Sequence, residues 1–154
     1  MTIVVYKRRT IVKGVYVLVL SISKSLKIKV STRKDFSLEK GFYAYVGSAQ
    51  KVLEKRLVRH FARASKKHFW HIDYLLAADG VSVLEAFYKE AGKKEECKTA
   101  QGLTAIAFPV DGFGCSDCKC TSHLFRFISL SLLEDTCLKL DFKPFVYLAS
   151  ESPY

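Results

Sequence analysis

Residues 14–20 (GVYVLVL) put β-branched and large apolar side chains on both faces of an extended chain, the pattern of a strand covered on two sides. Residues 26–30 predict a second, shorter strand. Residues 42–46 alternate, with Phe42, Ala44 and Val46 on one face and Tyr43 and Tyr45 on the other. The intervening STRKDFSLEKG reads as a polar connection. Gly47-Ser48 turns the chain, and Ser48 is placed to cap a helix running to about Ala64. Leu53, Leu57, Phe61 and Ala64 form that helix's buried stripe. Arg56, Arg59, His60 and Arg63 recur at i, i+3, i+4 and i+7 and form a second face beside it.

Further along, HFWHIDYLL predicts a short helix or turn closing over the core. It reads as a capped turn with Trp70 packed inside, or as a polar His71–Asp73 pair. Residues 81–87 predict a strand and 91–104 a helix. The style changes from Phe108: PVDGFGCSDCKCTSH is turn-rich, an apolar strand follows at 124–128, and the remainder carries Pro144 and Pro153. These elements predict one α/β (α+β) domain, a small, mainly antiparallel sheet flanked by helices. Residues 1–13 read as an N-terminal arm or edge strand, 14–105 as the core, and 106–154 as a Cys/His-containing extension packed on it.

Composition sharpens this picture. Apolar residues make up 49% of the 154, enough for a substantial core. The net charge of +10 biases the chain toward polyanions such as nucleic acid. No apolar run reaches the roughly 18 residues a bilayer span needs. The 15–22 stretch follows Lys7, Arg8, Arg9 and Lys13, precedes Lys24, and lacks a small-residue cleavage site, so it reads as a core strand. The expectation is a cytoplasmic protein with no membrane partner. Oligomeric state is left open.

If the two tyrosine-bearing strands are neighbours, Tyr16 and Tyr45 approach each other at one sheet end, and Arg56 reaches the same place. Glu96 shares an inward helical stripe with Ala100 and Leu103, whereas Glu95 falls with Lys98 and Gly102. A lone inward carboxylate needs a cation, which Arg56 or a metal ion could supply.

GVY at 14–16, YVG at 45–47, Arg56 and Glu96 resemble, in order and spacing, the GIY-YIG nuclease superfamily. GFYAYVGSA, WHIDYLL, EC and GFGCSDCKCTSHLF together resemble an uncharacterised, mainly archaeal family within it, some of whose members are fused to an endonuclease III-type DNA glycosylase. The resemblance implies metal-dependent phosphodiester cleavage in DNA repair or recombination. Nucleic acid is the implied partner, DNA ahead of RNA. Glu96 would hold Mg²⁺ or Mn²⁺, Tyr16 would be the general base, Arg56 would contact the scissile phosphate, and Tyr45 would orient water or phosphate. His60 falls where the superfamily often places His or Tyr. Lys51, Lys55, Arg59, Arg63, Lys66 and Lys67 would contact backbone phosphates. The chain departs from the superfamily in lacking a late Asn at the usual place and in carrying Ser48, where many nucleases have Lys. The alternative is a non-catalytic DNA- or RNA-binding module of the same fold.

The five cysteines are odd in number, which argues against a complete disulfide framework. Cys115, Cys118, Cys120 and His123 lie within nine residues, a zinc-like grouping that is equally open to a disulfide or to free thiols. In the family resembled, the first position is typically a small residue. That leaves Cys118, Cys120 and His123, with water or another residue such as Cys97 completing a Zn²⁺ site.

Overall fold

Strand β1 (Gly14–Ile22) is buried along nearly its whole length, as its two-faced apolar sequence predicts. The computed structural model describes residues 13–31, 34–62, 70–115 and 118–146. Residues 1–12 of the N-terminal arm, Arg63, Ala64, Lys66 and Lys67 therefore lie outside the described residues. After β1 come β2 (Leu26–Ser31), β3 (Lys34–Leu38), β4 (Gly41–Ala49), α1 (Leu53–Ala62) and α2 (His71–Leu76). Then follow β5 (Val81–Lys89), α3 (Lys94–Thr104), β6 (Phe108–Pro109), β7 (Leu124–Phe127), α4 (Leu130–Lys139) and β8 (Lys143–Phe145).

Among the described residues, six strands form one antiparallel sheet in the order β6-β7-β4-β1-β5-β8. The mainly antiparallel α+β architecture is thus as expected. Strands β2 and β3 form a separate ribbon, Ile28 opposite Phe36. The segment read as a polar connection therefore contains a strand, because Phe36 and Leu38 alternate with Asp35 and Ser37 and bury themselves in the core.

The alternation in β4 divides the interior. Tyr43 and Tyr45 join Tyr16, Leu18 and Leu20 on one face, beneath α1, α2 and the ribbon. Ala44 and Val46 join Val15, Val17 and Val19 on the other, beneath α3 and α4. Helix α4 begins where Ser129 Oγ accepts a hydrogen bond from the Leu132 amide at 3.1 Å, a local cap signal in a stretch read only as terminal.

Ser48 does not cap a helix. The register Val15–Ser48 and Gly14–Ala49 keeps β4 extended to Ala49, and α1 starts only at Leu53. Gly47 lies opposite Tyr16, whose phenol covers it. A Cβ at Gly47 would come within 2.5 Å of the Tyr16 hydroxyl. Gly47→Ala is expected to lower stability by about 1–3 kcal/mol through this overpacking. Chemical denaturation reads the shift, and an unchanged midpoint would place the ring elsewhere.

Candidate active site

The ends of β1 and β4 carry side chains to both faces of the sheet, so groups from opposite layers meet there. Tyr16 and Tyr45 project into the α1–α2 layer with ring centroids 6.3 Å apart. Helix α1 brings His60 behind Tyr16, with the phenol oxygen 3.0 Å from His60 Nε2. His60 is therefore part of the buried side of α1, whereas Arg56 and Arg59 are partly exposed. Arg56 donates from Nη1 to the Ser48 carbonyl at 3.0 Å and stacks over Trp70, its guanidinium carbon 4.4 Å from the ring centroid. Trp70 is exposed, not packed inside; it serves as the platform for Arg56.

Glu96 arrives from the first turns of α3, in the layer across the sheet. Ser48 links the two layers. Its hydroxyl donates to Glu96 Oε1 at 2.6 Å, and its carbonyl holds Arg56. His123 Nδ1 lies 3.0 Å from Glu96 Oε2. Glu96 is thus partnered by Ser48 and His123, and the pairing with Arg56 weighed from sequence is not formed. Glu95 faces away, paired with Lys89 at 3.1 Å. Each Glu96 oxygen accepts one of these hydrogen bonds and keeps a further lone pair. With the side chain 16% exposed, those lone pairs stay open to a further hydrogen-bond donor or a hard cation.

These groups border one cavity of about 740 Å³, lined by Tyr16, Tyr45, Ser48, Arg56, Trp70 and Glu96. Of the predicted phosphate-contacting residues, Lys51, Lys55 and Arg59 line it too. His60 stands behind it. Arg59 also lies 3.8 Å from Asp73, whose carboxylate accepts from the Trp70 amide at 3.1 Å. His71 accepts at Nδ1 from the Gly114 amide at 2.7 Å and so braces the turn before the cysteine cluster. A second hollow of about 790 Å³ beside the β2–β3 ribbon contains none of the predicted site residues.

Burial dominates the acid–base character. It raises the Tyr16 phenol to about 12, with the Arg56 guanidinium opposing, and pushes Tyr45 well above the ordinary phenol range. Burial would also raise Glu96, but hydrogen bonds from His123 and Ser48 outweigh it and hold the carboxyl below its usual value. The same pairing raises His123 against its own desolvation.

Burial drives His60 down from 6.5 to about 4, with Arg56 and Arg59 adding to the shift and Asp73 opposing it. The unfolded chain takes up this proton near 6.5 and the folded chain only near 4, so between those values the unfolded state holds more protons. His60 therefore withdraws stability as pH falls through that window, and the loss is complete below about 4. At about 1.4 kcal/mol per unit, the loss is on the order of 3 kcal/mol. Histidine titration by NMR is expected to show a neutral imidazole to below pH 5; a midpoint near 6.5 would contradict the buried pair.

Beside Glu96 lies a second grouping. One ligand atom each from Cys97, Cys118, Cys120 and His123 falls within 4.8 Å of the others. Such a cluster could hold a metal ion. Of the two fourth partners weighed from sequence, Cys97 arrives from α3, whereas Cys115 stands outside the group with its thiol 3.5 Å from the Phe113 carbonyl. All five cysteines are free thiols.

Residues 15–141 match a family described as a domain of unknown function, DUF123. The chain belongs to the DUF123 family. The match runs from the residue before Tyr16 to beyond His123, so the DUF123 region contains every described member of both groupings. No curated protein and no solved structure matches the chain.

Of the residues singled out from sequence, Tyr16, Tyr45, Arg56 and Glu96 meet at one cavity, with His60 behind Tyr16. Sequence reasoning missed Ser48 as the joint between layers, and no local signal marks that role.

Proposed function

We propose that this DUF123 chain is a GIY-YIG-type, metal-dependent endonuclease that hydrolyses phosphodiester bonds in DNA, in a repair or recombination setting. One observation carries the reading: Tyr16, Tyr45, Arg56 and Glu96 converge from both sides of the sheet on one cavity, with Lys51, Lys55 and Arg59 around it. Among the described residues, no helix is long and apolar enough to cross a membrane. The +10 charge suits a polyanionic partner.

A divalent cation on the outer lone pairs of Glu96 would supply Lewis-acid charge for phosphoryl oxygen. The hard carboxylate suits Mg²⁺ or Mn²⁺, whereas the sulfur-rich cluster suits Zn²⁺. Arg56, steadied by Trp70 and the Ser48 carbonyl, keeps donors free to offset charge building on the phosphate. Tyr16 holds its proton at neutral pH, so accepting one from water would require passing its own to His60 Nε2, 3.0 Å away, in the tautomer with hydrogen on Nδ1; because burial disfavours the imidazolium, that transfer would be transient. Tyr45 orients water or phosphate beside it. Lys51, Lys55 and Arg59 guide the backbone without reading sequence.

The test is incubation with labelled single-stranded, duplex and branched DNA, and with RNA, with Mg²⁺ or Mn²⁺ present or chelated. Metal-dependent cutting of DNA is the expected result. Salt-sensitive binding without cutting in any condition would replace the enzyme with a binding module.

A further inference from the structure

We propose that Cys97, Cys118, Cys120 and His123 form a closed, tetrahedral Zn²⁺ site, distinct from the cavity, and that Glu96 is its outer carboxylate. Zn–S bonds of about 2.3 Å and Zn–N bonds of about 2.0 Å set ligand-to-ligand edges near 3.5–3.8 Å in a tetrahedron. The Cys118 Sγ to His123 Nε2 distance is 3.4 Å, already one such edge. The full set lies within 4.8 Å, so small side-chain rotations close it around an ion. Three thiolates and an imidazole are soft and borderline donors, which favour Zn²⁺ over Mg²⁺ or Mn²⁺. The three cysteines are partly exposed, giving the ion a way in, while His123 is buried.

The histidine geometry argues for a metal in its own right. Nδ1 is occupied on the protein side, 3.0 Å from Glu96 Oε2 and 3.1 Å from the Val46 carbonyl. With the hydrogen on Nδ1, the Nε2 lone pair faces the sulfurs. A carboxylate fixing the far nitrogen of a zinc-bound histidine is a recurrent arrangement. The His123 main chain is itself fixed, donating to the Phe113 carbonyl and accepting from the Val46 amide, both at 2.8 Å. The ion would pin α3, through Cys97, to the loop ahead of β7. Because Glu96 immediately precedes Cys97, the same pin sets the carboxylate at the mouth of the cavity.

The site is tested by metal analysis of full-length protein purified without chelator, by Co²⁺ titration of the metal-free protein, and by competition with a chromogenic zinc chelator. The expected result is one Zn²⁺ per chain, retained in Cys115→Ser and lost in Cys97→Ser, and a tetrahedral Co²⁺ absorption spectrum. The Co²⁺ titration uses the natural sequence, so a variant that fails to fold does not block the test. Glu96→Gln is expected to weaken zinc affinity by about 10–100-fold. Absence of both bound zinc and the tetrahedral spectrum would overturn the site. So would a disulfide between these cysteines in protein kept reduced, or zinc loss in Cys115→Ser but not in Cys97→Ser. Unchanged zinc affinity in Glu96→Gln would overturn the outer role of Glu96. These readouts are independent of cleavage, so they stand or fall separately from the nuclease proposal.

Discussion

Glu96→Gln is expected to abolish metal-dependent cleavage, lowering it by at least about a thousandfold, some 4 kcal/mol of transition-state stabilisation. The substitution keeps the side chain's size and lets one amide oxygen accept from Ser48 or His123. It removes the negative charge, and among the described cavity-lining residues Glu96 is the one carboxylate. Excess Mg²⁺ or Mn²⁺ should restore the rate at most in part, because the neutral amide oxygen left behind is a weak ligand for a hard cation. The assay must run with zinc in excess, so that weakened binding at the neighbouring cluster does not imitate the loss. Binding of a labelled DNA in the absence of divalent cation is expected to persist and even to tighten, since a negative charge beside the phosphates has gone. Cleavage within tenfold of the natural protein would remove Glu96 from the reaction and with it the enzyme reading.

That prediction uses a residue legible in the sequence, and the reason is local. The stripe of Glu96, Ala100 and Leu103 is a period-3.6 pattern, and in α3 Ala100 and Leu103 are fully packed. The faces of β4 followed in the same way from period-2 alternation. What escaped depends on distant partners or on short segments. Strand β3 has only five residues, too few for its alternation to outweigh its charges. Ser48 looked like a helix cap because it follows a glycine, yet pairing with Val15 carries the strand onward. Its true partner, Glu96, is 48 residues away. The fourth member of the sulfur-rich cluster is decided in the same way: residues 115–123 leave Cys115, Cys97 and water open, and the fold delivers Cys97 from α3 to that point.

Tyr16→Phe is the second change with a large expected effect, about 10²–10⁴ in cleavage rate. The aromatic ring stays, so its packing over Gly47 is kept, and only the oxygen 3.0 Å from His60 is lost. His60 Nε2 then sits buried without that partner, at a cost to stability of about 1–3 kcal/mol. This is the complication that makes rate alone insufficient, because a loosened α1 would also disturb Arg56. Binding separates the two causes. If, as proposed, Lys51, Lys55 and Arg56 in the cavity lining hold phosphate, a variant that has lost only the proton acceptor binds DNA within about twofold of the natural protein while failing to cut it. Weakening of binding and rate together would instead show that the phenol serves to position α1. Under the relay proposed here, His60→Phe should reproduce the rate loss with the Tyr16 hydroxyl still present, since the acceptor 3.0 Å from the phenol has gone. If His60→Phe cuts normally while Tyr16→Phe does not, the hydroxyl is orienting water rather than taking a proton from it.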